Sequence, residues 1–182
     1  MQEIEAGLPN VLASPTDNGR LVGLQTRPAE GERVELPSVD VSAASGVSGD
    51  HWSKGCWKSL PDGSPDPDVQ ISIINSRLIN LIAGGRENWA PAGNNLFVDM
   101  DITLANLPPG QMLGIGTAEL AITSVPHTGC AKFIARYGRD ACVYVNRGIG
   151  RDLRLRGVYA RVVRSGRISV RDAIVKLPKS IP

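Results

Sequence analysis

The fold is most clearly indicated by the stretch Leu96-Phe97-Val98-Asp99-Met100-Asp101-Ile102. Its even-numbered positions are Leu, Val, Met and Ile, whereas two of its three odd-numbered positions are Asp. Successive side chains of a β-strand point to opposite faces of the sheet, whereas a helix repeats about every 3.6 residues. The stretch therefore predicts a β-strand that presents one face to a hydrophobic core.

Short hydrophobic runs on both sides of this stretch also predict strands. They cover residues 11–13, 21–24, 34–41, 69–74, 112–115, 118–123, 153–163 and 174–177. Helical spacing is found in 76–83, which Gly84-Gly85 ends, in 128–138, and in a turn near Val143. We therefore predict a mainly β fold, a closed or nearly closed β-barrel with a few short peripheral helices, because closure removes exposed strand edges.

Composition agrees with this architecture. The chain of 182 residues is 42% hydrophobic but only 4% aromatic, and it contains 20 Gly and 13 Pro. The core must therefore consist of aliphatic side chains between many turns. The length predicts a single domain over residues 1–182.

Charge and hydrophobicity weigh against some classes of partner. The formal net charge is +2, which is too small to indicate a nucleic-acid or membrane role for the whole molecule. Eight arginines lie between Arg147 and Arg171, but Tyr159 is the one aromatic residue among them that could stack on bases. The first residues show no basic segment followed by an apolar stretch, so we expect no export signal, and there is no run of about 18 apolar residues. We expect a cytoplasmic protein without a nucleic-acid or membrane partner.

The three cysteines, Cys56, Cys130 and Cys142, lack the spacing of a disulfide framework or a zinc site. Cys130 is nevertheless a candidate nucleophile or metal ligand. If Thr128 caps a helix that runs to Gly138, Cys130 lies in its first turn, where free N–H groups and the helix dipole favour negative charge. A buried, inert thiol is the alternative interpretation.

Two neighbours of Cys130 are candidates for the same site. His127 and Arg136 are placed to supply positive charge or hydrogen bonds to a thiolate, which is the reactive form of cysteine. His127 and Cys130 are too close in sequence for a typical Cys-His peptidase pair, and no orienting Asn or Asp is recognisable.

A long irregular loop is predicted for residues 45–68, which contain four Gly and three Pro. Such loops in small domains are often functional, so this one is a candidate wall of the site. Within it, Asp50 and His51 follow Gly46 and Gly49, which allow a close approach of the backbone to a ligand. The alternative is that Asp50 simply fixes the turn.

The sequence also resembles the MOSC domain, which takes its name from the C-terminal domain of molybdenum-cofactor sulfurase, and looks like a small stand-alone bacterial member of that family. The resemblance covers about residues 19–177 and rests on the order of several short motifs. They are Gly46-x-x-Gly49-Asp50-His51-Trp52, Asn94-Asn95-Leu96, Pro109-Gly110 with Leu113-Gly114-Ile115-Gly116-Thr117-Ala118, His127-Thr128-Gly129-Cys130-Ala131-Lys132-Phe133 and Leu153-Arg154-Leu155-Arg156-Gly157. One departure is Arg171-Asp172, where the family often has Gly-Asp.

The resemblance implies a β-barrel with a site for a sulfurated or cysteine-ligated molybdenum cofactor (molybdopterin), in which Cys130 is the sulfur carrier or the metal ligand. Thiolate sulfur suits a thiophilic metal. The implied function is a molybdenum-cofactor-binding redox protein that reduces N-hydroxylated substrates, as related two-domain proteins do, with an electron-donor protein or a sulfurase as partner.

Two alternatives stay open, and with them the question of whether the chain is an enzyme. One is a persulfide sulfur carrier that acts through Cys130 without a metal. The other is a non-catalytic module that binds or delivers the cofactor. Pyridoxal phosphate is not expected, because its Schiff-base lysine belongs to a separate, larger domain.

The other candidates are donors that an anionic cofactor would need, and one aromatic ring. Arg86 and Asn95 lie in a polar loop, strand alternation predicts Arg154 and Arg156 on one face, and Phe133 either stacks on the cofactor or packs in the core. The predicted catalytic residues are Cys130 and His127, the metal ligand is Cys130, and the cofactor-binding residues are Asp50, His51, Arg86, Asn95, Phe133, Arg136, Arg154 and Arg156.

Overall fold

The structure, a computed structural model, describes residues 2–178. Eleven strands and four α-helices are found in this part of the chain. The strands are β1 (Gly19–Thr26), β2 (Val34–Glu35), β3 (Ser38–Ser42), β4 (Gly46–Val47), β5 (Ile71–Asn75), β6 (Leu96–Asp99), β7 (Met112–Ile115), β8 (Ala118–Ile122), β9 (Val158–Arg164), β10 (Gly166–Ser169) and β11 (Ala173–Leu177). The helices are α1 (Gln2–Leu12), α2 (Ser76–Ala83), α3 (Ala131–Asn146) and α4 (Gly148–Asp152).

Seven strands close into a barrel in the order β1-β11-β7-β8-β9-β5-β6, after which β6 returns to β1. All neighbours in this ring are antiparallel except β5 and β6, which are parallel and are joined by a crossover that contains α2. β2 pairs with β1 outside the ring. The predicted β-barrel is thus confirmed.

The barrel encloses one hydrophobic core. The alternation that begins at Leu96 is observed, since Leu96, Val98, Met100 and Ile102 are all buried in this core. The three-stranded sheet β10-β3-β4 packs against the same core through aliphatic side chains. Phe97 points to the opposite face, where its ring centroid lies 5.5 Å from that of Trp89.

The helix predicted at 76–83 is confirmed as α2. The Asn75 side chain accepts a hydrogen bond from the backbone of Leu78, and Gly84 ends the helix in the left-handed conformation. The run 11–13, however, was wrongly predicted as a strand. Val11 and Leu12 are the last residues of α1, whose Ile4 and Val11 pack in a second hydrophobic cluster with Leu78 of α2.

The predicted strand 153–163 begins five residues later than expected. The backbone turns before β9, with Arg154 at φ 54° and Gly157 at φ 118°. The backbone N–H of Gly157 donates to the carbonyl of Arg154. Strand alternation therefore does not apply to Arg154 and Arg156, and the prediction that they share one strand face is wrong.

Helix α3 also begins later than predicted. Cys130, not Thr128, is the N-cap residue, and its carbonyl accepts hydrogen bonds from the backbone N–H groups of Phe133 and Ile134. Gly138 does not end the helix but kinks it, with φ 85° and ψ 163°. Cys130 keeps its place at the positive end of the helix dipole.

The departure at Arg171 leaves the final turn intact. Arg171 adopts φ 81°, a conformation that favours glycine, and its backbone N–H donates to the carbonyl of Leu21. The Asp172 carboxylate accepts a hydrogen bond from the backbone of Ser169. Within residues 2–178, no helix combines the length and the apolar character needed to cross a membrane.

Gly157→Ala is expected to destabilise the barrel. A Cβ at this position would lie 2.2 Å from the carbonyl oxygen of Ile73, and the backbone is left-handed. Left-handed backbone costs about 1–2 kcal/mol and steric overlap about 1–3 kcal/mol, so the free energy of unfolding should fall by about 2–5 kcal/mol.

Gly110→Ala is the matched control, because Gly110 has φ 83° but a Cβ at this position would meet nothing within 4 Å. The free energy of unfolding of this variant should fall only by the cost of left-handed backbone, about 1–2 kcal/mol. Urea denaturation of both variants measures the difference. Equal losses would contradict the close approach of Gly157 to Ile73.

Candidate functional site

A cavity of about 640 Å³ lies against the outer wall of the barrel. Ser72 of β5 and Tyr159 of β9 pair with each other and line this cavity. Their neighbours along the strands, such as Ile73 and Val158, are buried inside the barrel. Because side chains alternate along a strand, Ser72 and Tyr159 point outward and form part of the cavity wall.

Cys130 is exposed and lines the cavity at the start of α3. The preceding residue is held by the Asn146 side chain, which accepts a hydrogen bond from the Gly129 N–H at 2.7 Å and donates one to the Gly129 carbonyl at 3.0 Å. A Cβ on residue 129 would lie 2.9 Å from the Cys142 sulfur. These contacts fix the backbone that presents the Cys130 thiol.

His127 lies beside Tyr159, with 4.3 Å between the ring centroids. Its Nδ1 is buried and has no hydrogen-bond partner among the described residues. Burial holds the pKa of His127 well below its usual value of 6.5, and the nearby charges of Arg156 and Arg27 act in the same direction. His127 is therefore neutral at physiological pH and does not supply positive charge to Cys130.

Arg156 is a buried cation that lines the cavity. It donates to the Asn94 side chain at 2.8 Å and to the Ala92 carbonyl at 3.1 Å, and its guanidinium lies 4.9 Å from the centre of the Phe133 ring. Burial lowers the pKa of Arg156 to about 10, so it still carries its charge at neutral pH. Its Nε has no partner within residues 2–178.

A second cation, Arg27, is held by the buried carboxylate of Asp50. The Arg27 Nε and Nη2 donate to the two oxygens of Asp50 at 2.8 Å and 3.0 Å. Although burial acts to raise the pKa of Asp50, the hydrogen bonds from Arg27, Trp52 and Asn95 hold it below its usual value. Asp50 is therefore ionised and presents the Arg27 guanidinium to the cavity.

Arg33 and Arg136 add two more guanidinium groups. Both lie near Gly93, since a Cβ there would be 3.2 Å from one Arg33 nitrogen and 3.6 Å from an Arg136 nitrogen. Burial, followed by the charges of Arg136 and Arg27, lowers the pKa of Arg33. Neither residue forms an ion pair with a carboxylate in the described part of the chain, so the cavity has an excess of positive charge.

Aromatic side chains also line the cavity. Trp57 is 68% exposed, although it lines the cavity, and its ring centroid lies 6.4 Å from that of Tyr159. A large exposed aromatic side chain beside a cavity is typical of a binding surface. The cavity thus combines a flat aromatic wall with a basic one.

The structure brings six of the predicted site residues to this cavity: His51, His127, Cys130, Phe133, Arg136 and Arg156. Asp50 and Asn95 are buried behind it, where the Asn95 side chain donates to Asp50 at 2.9 Å. Arg86 lies outside the cavity and forms an ion pair with Glu35. Arg154 also lies outside it and donates to the carbonyl of Leu107.

Sequence reasoning did not identify Arg27, Arg33, Trp57 or Asn146 as parts of the site. Arg27 and Arg33 follow β1 and carry no motif of their own, so their role depends on the fold. The exposed Trp57 lies in the loop that was predicted to be a wall, and a Trp in a Gly-rich and Pro-rich loop was a usable signal. Among residues 2–178, no three His, Cys, Asp or Glu side chains cluster as a metal site would require.

Several solved structures share this fold. YuaD from Bacillus subtilis is 19% identical and has a TM-score of 0.58, with 86% of this chain and 93% of its own covered. YiiM from Escherichia coli is 16% identical, with a TM-score of 0.57 and coverage of 91% and 71%. YiiM from Geobacillus stearothermophilus is 17% identical, with a TM-score of 0.59 and coverage of 90% and 77%.

YiiM and YuaD are MOSC-domain proteins, so the resemblance to the MOSC domain is confirmed at the level of the fold. At these identities the likeness shows the fold and not the activity. No family model matches the chain, and no curated protein matches it in sequence.

His127→Phe is expected to make the free energy of unfolding less dependent on pH. The unfolded chain binds a proton at His127 near pH 6.5, whereas the folded protein binds it only at lower pH. The stabilising contribution of neutral His127 is therefore complete above this pH and is lost as the pH falls below it, by at most about 1.4 kcal/mol per pH unit.

The measurement is the free energy of unfolding in urea between pH 7 and pH 5. The pKa of Asp50 is below its usual value, so this carboxyl remains ionised over the whole range. The Phe ring keeps the contact with Tyr159 but does not titrate, so the variant should show the smaller loss on acidification. Parallel pH curves for the two proteins would contradict the burial of a neutral His127.

Proposed function

We propose that this chain, whose barrel is of the MOSC type, binds a molybdenum cofactor in the cavity and reduces N-hydroxylated substrates there, with Cys130 as the protein ligand to the metal. One observation carries the proposal. An exposed thiol lies beside a cavity whose guanidinium groups exceed the carboxylates that could neutralise them. Such a cavity favours an anionic ligand that also accepts a thiolate.

The residues present fit a group of this kind. The buried Nε atoms of Arg33 and Arg156 have no hydrogen-bond partner in the described chain. A buried donor without a partner costs about 1–3 kcal/mol, which a bound phosphate or pterin acceptor would recover. The volume of about 640 Å³ is also in the range of small-molecule sites.

We assign different side chains of the site to different parts of the cofactor. Arg27, Arg33, Arg136 and Arg156 are the donors for the anionic part of the cofactor, and Tyr159 and Trp57 are the planar surfaces for a pterin or a flat substrate. Cys130 is the one metal ligand that we assign to the protein. When bound, the cofactor supplies a metal that changes oxidation state and so accepts and passes on electrons.

The chain itself orients these groups. The two hydrogen bonds of the Asn146 side chain fix the Gly129 backbone, which precedes Cys130. The Asp50 carboxylate fixes Arg27. Phe133 is buried and lies under the guanidinium of Arg156, so its role is to support that cation. Because these positions are set before a ligand binds, little ordering entropy remains to be lost on binding.

A persulfide carrier is the second candidate function, and the exposure of Cys130 favours it. In that reaction the outer sulfur of a donor persulfide bonds to the Cys130 thiolate, and the donor thiolate leaves. It would appear as a mass increase of one sulfur atom on Cys130 after incubation with a sulfurase, in protein that contains no metal.

Cys130→Ser is expected to abolish molybdenum binding. The chain is produced in a host that makes the cofactor, and the purified protein is assayed for molybdenum and for pterin fluorescence. Serine removes the soft sulfur ligand with little change in volume, so the metal content should fall to the background of the assay. Cys56→Ser, which removes another thiol of the same cavity, should retain the metal. Equal metal content in both variants would contradict Cys130 as the ligand.

Arg33→Gln is expected to weaken retention of the cofactor. The change removes one charge and the unpartnered Nε donor from the cavity, a loss of about 1.5–3 kcal/mol for a charge-assisted hydrogen bond, or roughly 10-fold to 100-fold in affinity. Pterin content after dialysis is the measurement.

Arg86→Gln provides the matched control. It also removes one arginine charge, but from the exposed ion pair with Glu35 outside the cavity. Its pterin content should equal that of the wild type. A similar loss in both variants would mean that net charge, rather than the cavity, determines binding.

A further inference from the structure

We infer that His51 is the catalytic proton donor of this site, an inference that rests on the proposed reduction of N-hydroxylated substrates. His51 begins the short 3-10 helix His51–Lys54 and lines the same cavity as Cys130. Its side chain is 37% exposed, so it reaches both the cavity and solvent. The proton-transfer role belongs to His51 and not to His127.

The first argument is the tautomer of the ring. His51 Nδ1 lies 2.7 Å from the carbonyl oxygen of Arg27, and the backbone N–H of His51 donates to the same oxygen at 2.8 Å. A carbonyl oxygen can only accept hydrogen bonds, so Nδ1 must carry the hydrogen. The neutral ring of His51 therefore has its lone pair on Nε2.

The second argument is that this contact holds the ring in place. Asp50 caps the 3-10 helix by accepting a hydrogen bond from the Trp52 backbone at 3.0 Å, and the same carboxylate binds Arg27. The ring is thus tied to Arg27 through Nδ1, and Nε2 is left to take a proton from solvent and give it to a bound substrate. A fixed imidazole with one free nitrogen is the usual arrangement of a general acid or base.

The charged groups around the ring come from three segments. Asp50 lies 3.8 Å from Nδ1, and its carboxylate is paired with Arg27. Glu30 is close enough for the charge of His51 to lower its pKa, although the hydrogen bond from Lys132 is the larger cause. Each of these two carboxylates already has a cationic partner, so the Arg27 carbonyl, and not a free carboxylate, is the hydrogen-bond partner of His51 Nδ1.

The third argument concerns two other candidate donors in the cavity, His127 and Tyr159. The chain contains two histidines, and burial keeps His127 neutral. Burial also raises the pKa of Tyr159, which makes its hydroxyl a weaker acid. His51 is the imidazole that lines the cavity with a free nitrogen and with access to solvent.

The reaction requires such a donor. Reduction of an N-hydroxylated amine, R–NH–OH, takes up two electrons and two protons and gives R–NH₂ and water. The N–O bond breaks as the electrons arrive from an external electron-donor protein. One proton, from His51 Nε2, allows the oxygen to leave as water, the second proton is taken from solvent by the nitrogen, and solvent also reprotonates His51.

The first test needs neither cofactor nor substrate. Long-range ¹H–¹⁵N correlation spectra of the chain as purified contain two imidazole rings, and His51→Asn identifies which one is residue 51. We expect that ring, when neutral, to be protonated on Nδ1 and bare on Nε2. A ring protonated on Nε2 would overturn the inference, because the free nitrogen would then lack the lone pair that takes up the proton.

The second test uses the same variant loaded with cofactor. The amide nitrogen of Asn occupies the position of Nδ1, so His51→Asn keeps the donor to Arg27 but lacks Nε2. General acid catalysis contributes about 10²–10⁴-fold, so kcat should fall by a factor of this order, whereas molybdenum content and KM should stay within about twofold. Free imidazole should restore the rate in proportion to its concentration.

The outcomes separate the two proposals. A loaded wild-type protein that reduces no N-hydroxylated compound overturns the proposed function, and the catalytic role of His51 with it. An active wild type with an equally active His51→Asn overturns the role of His51 alone. A variant that loses cofactor together with activity, and that imidazole does not rescue, shows that His51 is structural.

Discussion

The Asp50 carboxylate holds together the part of the molecule on which the site depends. It is buried and accepts hydrogen bonds from Arg27, Trp52 and Asn95, which belong to three segments distant in sequence. Arg27 follows the last residue of β1, and Asn95 precedes β6. A buried carboxylate is costly unless it is fully paired, so this arrangement strongly favours one relative position of the three segments.

The excess of positive charge in the cavity destabilises the folded protein but prepares the cavity to bind an anion. Burial lowers the pKa of Arg33 and Arg156, and the charges of Arg136 and Arg27 lower that of Arg33 further. Their positions are nevertheless set by backbone carbonyls, such as that of Pro91 for Arg136, which accept hydrogen bonds without neutralising the charge. The protein thus keeps cationic groups that a bound anion can neutralise.

Much of the barrel was predictable from sequence because strands and helices leave local patterns. The helix at Ser76–Ala83 and the burial of alternate residues at Leu96–Ile102 depend on near neighbours and were predicted correctly, although β6 itself ends at Asp99. The run 11–13 failed because three apolar residues fit the end of an amphipathic helix as well as a strand. Arg154 was misplaced because its left-handed backbone is not visible in the sequence pattern. The contributions of Arg27 and Arg33 could not be predicted, since tertiary contacts alone bring them to Cys130.

The cavity lies on the outside of the barrel wall, where Ser72 and Tyr159 face away from the core. The side chains that hold the barrel together and those that line the cavity therefore occupy opposite faces of the same strands. Evolution can change the covering loops, and with them the range of molecules that are accommodated, while the interior packing is preserved. Such separation explains how one scaffold can serve proteins whose sequences have diverged as far as those of this chain, YuaD and YiiM.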